Sequence, residues 1–158
     1  MRRSIPDSML RGLLATAILA VGMVSTAGSA ESTATLEANK KTAIAFYEAA
    51  INRKDFAAAS GYLGAQYKQH NPTAQDGPEG LKAFIDFLKA KFPMQKGEIK
   101  QVIAEGDKVA LHVHSTRGDG TPGRAIVDIF RLQNGKVVEH WDVLQPFPEK
   151  SANPHPMF

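Results

Sequence analysis

The sequence contains no cysteine. Disulfides, thiol nucleophiles, thiolate metal sites and a lipidated amino-terminal cysteine are therefore excluded. A chain of 158 residues amounts to one domain, and at that size a single apolar core can hold it together without cross-links. A long hydrophobic run is also missing. The longest, Leu13 to Val24, falls well short of the roughly 20 apolar residues that a membrane-spanning helix needs. Nor is there a strong excess of one charge. The formal net charge is +3, but three of the nineteen basic residues and only one of the sixteen acidic ones lie in the first thirty positions. The remainder is close to neutral, and Lys40-Lys41 and Arg53-Lys54 are isolated pairs that suit solvated helix positions. Nucleic acid is not expected as a partner.

What the amino terminus does have is the layout of a secretory signal peptide. Arg2, Arg3 and Arg11 precede the apolar run, and small residues ending in Gly28-Ser29-Ala30 follow it. Cleavage after Ala30 is expected, with Ala27 as the alternative, giving a periplasmic or secreted protein with no stable membrane anchor. Residues 1–30 then form the leader, 31–145 the folded domain and 146–158 an irregular tail rich in proline.

Helical periodicity opens the domain. After a flexible stretch over 31–35, Ala43, Ile44, Tyr47, Ala50 and Ile51 recur at helical spacing and predict a helix ending near Asn52. Asp55 can cap a short second helix, "FAAAS", and Pro78 opens a third whose apolar stripe is Leu81, Phe84, Ile85 and Leu88. Between these two helices, "QYKQHNP" reads as a short extended piece leading into a turn. After Gly97 the period changes to two, predicting strands at 98–105, 108–117, 124–133 and 136–145. Gly106-Asp107 and Asn134-Gly135 supply tight turns. Helices followed by a four-stranded antiparallel meander define an α+β domain, with the helices packed on one face of a curved sheet.

The strands carry unexpected ionisable groups. "RAIVDIFRL" places Asp128 on one face with Ile126, Phe130 and Leu132. A carboxylate among such neighbours must find hydrogen-bond donors, a cation or a proton. "KVALHVHSTR" places His112 and His114 together on one face, and "EHWDVLQ" does the same for His140 and Asp142. One account is a satisfied core carboxylate. The other is a polar-lined pocket built from three strands, with Phe130 as part of its apolar wall. The "HVH" pair with a further His and Asp also has suitable metal-ligand types. However, the glutamate that follows such a pair in cupin-like sites is missing, because "STRGDG" comes next. No metal is expected. His155, Glu139 and Arg131 read as solvated positions.

The stretches "FYEAAINRKDFAAASGYLGAQYKQHNP", "DGPEGLKAFIDFLKAKFP", "VIAEGDKVALHVHS", "DIFRLQNGKVVEHWDVLQ" and "NPHPMF" resemble the SnoaL-like group of the nuclear transport factor 2-like superfamily. They are most similar to its predicted aldol-condensation-catalysing enzymes, over about residues 40–158. The resemblance implies a cone: three helices closing a strongly curved, mainly antiparallel sheet around an apolar pocket. By analogy with SnoaL-type polyketide cyclases it implies that Asp128 is an acid/base residue with His114 beside it. Asp142 resembles a pocket-facing aspartate of the limonene-epoxide-hydrolase relatives. The arginine those hydrolases carry two residues before the first aspartate is replaced here by Ile126, which argues against epoxide hydrolysis.

These implications combine into one expected function. It is cofactor-free acid/base chemistry next to a carbonyl, of the aldol condensation, cyclisation or isomerisation type, on a small apolar carbonyl-containing molecule. Asp128 is expected as base, oriented by His114, with His140 and Asp142 coupled. His70, Asn71, His112 and His140 are expected donors to the enolate oxygen. The alternatives are a non-catalytic binder of a small apolar molecule and a histidine-ligated metal protein. Trp141 and Val143 are expected on the outer face of the sheet, where they would suit a homodimer.

Overall fold

A computed structural model describes residues 32–158; the expected leader lies outside the described residues. Helix α1 (Thr33–Tyr47) begins two residues into the stretch expected to be flexible. Ser32 caps it, its Oγ accepting from the Thr35 backbone N–H. The helix continues through a wider π-turn, Glu48–Asn52, as far as the periodicity indicated. Asn52 then ties the helix end to the sheet: its Oδ1 accepts from Gly97 N at 2.8 Å and its Nδ2 donates to Gly97 O at 2.9 Å. Glycine at 97 leaves room for Tyr47, because a Cβ there would run into the Tyr47 hydroxyl and ring edge.

Asp55 caps α2 (Phe56–Ser60) by accepting from Ala58 N, as expected. Pro78 sits in the first turn of α3 (Gly77–Lys91), which buries Leu81, Ile85 and Leu88 and ends at Phe92. Five strands follow or intervene: β1 (Leu63–Gln69), β2 (Lys96–Glu105), β3 (Lys108–Thr116), β4 (Arg124–Gln133) and β5 (Lys136–Pro146). They form one sheet in the order β1-β5-β4-β3-β2. The expected antiparallel meander is present as β2 to β5. The correction is β1: "QYKQ" is a strand of the sheet, paired parallel to β5. Asn134 and Gly135, both at positive φ, make the tight β4–β5 turn.

Register shifts in β1/β5, β2/β3 and β4/β5 bend the strands, which is how such a sheet curves around helices. Alternation on β3 sends Val109, Leu111 and Val113 inwards, where they pack with Ala43, Phe46 and Ile85. No helix among the described residues is long and apolar enough to cross a membrane.

Candidate active site

Between the helices and the inner face of the sheet lies a cavity of about 310 Å³, within the size range of small-molecule sites. Its back wall is a ladder of side chains from β4 and β5, set by the pairing register. Phe130 faces His140, Asp128 faces Asp142, Ile126 faces Leu144, and Arg124 faces Pro146. Successive same-face rungs lie about 7 Å apart along a strand. The wall therefore changes with height from aromatic and imidazole, through a pair of carboxylates and an apolar rung, to a guanidinium. Helix residues Phe46, Ile51, Leu81 and Phe84 supply apolar surface opposite.

Asp128 and His140 are both buried, and His140 Nε2 lies 3.0 Å from Asp128 Oδ1. The hydrogen-bond chain behind the histidine fixes its protons. The Asn71 backbone N–H donates to Gln69 Oε1 at 2.9 Å, so that oxygen is an acceptor. His140 Nδ1, 2.9 Å from the same oxygen, must then carry a proton and donate it. Only one further proton lies between Nε2 and Asp128. Either the carboxyl holds it and the imidazole is neutral, or the imidazolium holds it and the aspartate is ionised. Phe130 stacks on the His140 ring at 4.9 Å and holds its plane.

The second oxygen, Asp128 Oδ2, is buried with no hydrogen-bond partner among the described residues. Burial pushes the Asp128 carboxyl above its usual range; the His140 hydrogen bond and charge oppose that rise, and the facing Asp142 adds to it. Asp142 is itself held by Asn71, whose Nδ2 donates to its Oδ2 at 2.6 Å.

Of the expected site residues, Asp128, His140, Asp142, Asn71 and Phe130 all line this cavity. His112, His114 and His70 do not, and their assignments are corrected. Because β3 turns Leu111 and Val113 inwards, His112 and His114 lie on the outer face. There His114 Nε2 meets Pro122 O at 2.7 Å, and Phe158 of the tail lies against both imidazoles. The Cα partner of Asp128 on β3 is Leu111, not a histidine. His70 is also outside: it stacks on Trp141 at 4.6 Å and pairs with Glu139 Oε1 at 2.8 Å. Glu139 and Arg131, read as solvated, form an ion pair at 2.7 Å.

Tyr47, Tyr67, Gln69, Arg117 and Arg124 also line the cavity and were not expected there. Burial, then the charge of Asp128, pushes both tyrosine hydroxyls up, which keeps them protonated. Gln69 Nε2 donates to the Tyr67 hydroxyl at 3.3 Å, leaving that hydroxyl's own proton for the cavity.

Asp128, His140 and Asp142 each offer one potential metal-ligand atom within 4.8 Å of one another. Both histidine nitrogens are already engaged within the proton-sharing chain, so metal is expected to be dispensable. Chelation of purified protein should leave its melting temperature unchanged. Stoichiometric zinc, iron or nickel, with a lower melting temperature on its removal, would instead make these three residues ligands.

A SnoaL-like domain model matches residues 43–140, and the chain belongs to that family. Solved structures with the same fold include a protein named as a polyketide cyclase from Bacillus cereus. It is 22% identical, with a TM-score of 0.62, covering 72% of this chain and 78% of that one. IdmH from Streptomyces antibioticus, also named as a polyketide cyclase, is 22% identical with a TM-score of 0.56, covering 67% and 91%. An NTF2-like protein of unknown function from Cytophaga hutchinsonii is 19% identical with a TM-score of 0.56, covering 68% and 90%. No curated protein matches the sequence significantly. The fold is thus the nuclear transport factor 2-like cone, with helices closing a curved, mixed five-stranded sheet.

Proposed function

We propose that the chain is an enzyme of the cyclase or isomerase type that moves a proton at a carbon next to a carbonyl, without a cofactor. Membership of the SnoaL-like family supports the general role. The observation that carries the chemistry is Asp128: one oxygen shares a proton with His140, and the other is buried beside an apolar cavity with no partner among the described residues. In the ionised form, the Asp128 carboxylate turns so that Oδ2 meets the cavity and takes a proton from the carbon. The C–H bond breaks, an O–H bond forms, and the electron pair moves onto the carbonyl oxygen as an enolate. The Tyr67 hydroxyl is the donor for that oxygen, because its own hydrogen bond to Gln69 uses the lone pair and not the proton. The enolate carbon then attacks a second carbonyl, which is aldol condensation or cyclisation, or it is reprotonated elsewhere, which is isomerisation. His140 holds the aspartate and remains positively charged while the enolate exists.

Deuterium incorporation next to the carbonyl of butyrophenone, followed by NMR, tests this directly. Exchange faster than in protein-free buffer is expected. No enhancement for butyrophenone or for a charged analogue would leave a binding module.

We also propose that the mature protein is exported, on the strength of the basic, apolar and small-residue segments of residues 1–30. Intact-mass measurement of periplasmic or secreted protein should show a chain beginning at or near Glu31. A full-length, membrane-retained species would overturn this.

A further inference from the structure

The cavity contains two cations that proton transfer at Asp128 does not employ. Arg124 stands on the ladder two rungs above Asp128, and Arg117 lies near the mouth with its guanidinium 4.4 Å from the centre of the Phe92 ring. Arg131, on the outer face of the same strand as Arg124, pairs with Glu139 and approaches Asp107. Neither Arg117 nor Arg124 has an acidic partner within 4.0 Å, or a side-chain hydrogen bond, among the described residues. Arg124 is half-buried, and burial, followed by the positive charge of Arg117, pulls its guanidinium below its ordinary pKa. The carboxylates of Asp142 and Asp128 act in the opposite direction more weakly. Two like charges converging on an apolar cavity, with their planar donor forks unengaged, match an anionic group, and a carboxylate fits such a fork with two parallel hydrogen bonds.

We propose that the substrate is an organic acid: an apolar carbonyl compound whose carboxylate is held by Arg124 and Arg117 while its carbonyl end reaches Asp128. This rests on the reading above that the cavity takes a carbonyl compound. The anion sets the direction of entry. It is retained at the cationic rim and kept from the lower rung, where Asp128 and Asp142 face each other. The apolar rung of Ile126 and Leu144 between them receives the body of the molecule.

Calorimetric titration with benzoylpropionate, its methyl ester and butyrophenone tests the proposal, since the three share an aryl ketone and differ at the acid. The acid is expected to bind at least about ten-fold tighter than either neutral compound, the effect of one charge-assisted hydrogen bond. Arg124→Gln should bring acid and ester to within about two-fold, Arg124→Lys should retain part of the preference, and Arg117→Gln should lose a smaller share. Acid binding no tighter than ester in the native protein, including no binding by any of the three, overturns the proposal whether or not the variants fold. So does an Arg124→Gln protein of native melting temperature that keeps the full preference. Deuterium exchange on the same compounds separates the two readings. Acid preference without exchange on any compound removes the proton chemistry and supports the anion site. Exchange on acid and ester alike, with equal affinities, overturns the anion site and leaves the chemistry.

Discussion

Asp128→Asn is expected to fold at least as stably as the native protein and to lose roughly 10²–10⁴ of its proton-transfer rate, the usual contribution of a positioned base. The amide keeps the shape of the carboxyl. Its nitrogen can donate to His140 Nε2, which a neutral imidazole accepts, so the contact at Asp128 Oδ1 has a replacement. What disappears is the buried acid. Its folded pKa is raised, first by burial, above an unfolded value of about 3.9. Between those two values the folded state binds more protons than the unfolded one, so native stability falls as pH rises through that window. Asparagine has no such dependence, and the variant's advantage should therefore grow as pH climbs above about 4. Melting curves across pH, together with deuterium exchange on benzoylpropionate, check both halves. A purely structural carboxylate predicts the reverse: a less stable variant with unchanged exchange, which would return Asp128 to the core and favour the binding module.

The parts of this site that could be read from the sequence are those where strand alternation and side-chain chemistry agree. Asp128 stood out because Ile126 and Phe130 share its face, and the same alternation brought His140 and Asp142 to the cavity. The order of helices and strands was legible for a similar reason, since Asp55, Pro78 and Asn134-Gly135 mark boundaries through local backbone chemistry. His114 and His112 were misplaced because imidazoles on a strand beside Asp128 are natural partners for a buried carboxylate, and the resemblance pointed the same way for His114. On β3 the uninterrupted apolar set is Val109, Leu111 and Val113, and burial of that set leaves the histidines outside. Family analogy locates a fold more securely than it locates a side chain.

β1 shows a different limit. "QYKQHNP" has little apolar content, so hydrophobic alternation did not mark it as a strand. Its place is decided by pairing with β5, a contact some seventy residues away in the chain. Once it is a strand, Tyr67 and Gln69 share its cavity face, and the chain just beyond its end sets Asn71 in the cavity and His70 outside. That single assignment explains three cavity residues and the exclusion of one expected donor. Arg124 was accessible by counting back along β4 from Asp128. An arginine at the end of a strand ordinarily reads as solvated, however, and only the cavity gives it another meaning.

The coupling between His140 and Asp128 is exposed most sharply by breaking it from the histidine side. His140→Leu keeps an apolar group of comparable bulk but removes the hydrogen bond and the positive charge that hold down the Asp128 pKa. The carboxylate is then buried without a partner, a defect that typically costs about 3–5 kcal/mol. The sign of the pH dependence follows from the same group. With His140 gone, the folded pKa of Asp128 rises further above its unfolded value of about 3.9. Stability is therefore retained at pH below the unfolded value and lost as pH rises through the raised folded one. Denaturant titrations should show a deficit of a few kcal/mol at neutral pH that shrinks towards pH 4. Adding Asp128→Leu should recover most of it, because replacing a buried ionic pair by packed apolar residues is often neutral or better. A deficit of equal size at every pH, unrelieved by the second substitution, would instead trace the loss to packing against Phe130. The proton shared between Asp128 and His140 would then have no part in holding the fold.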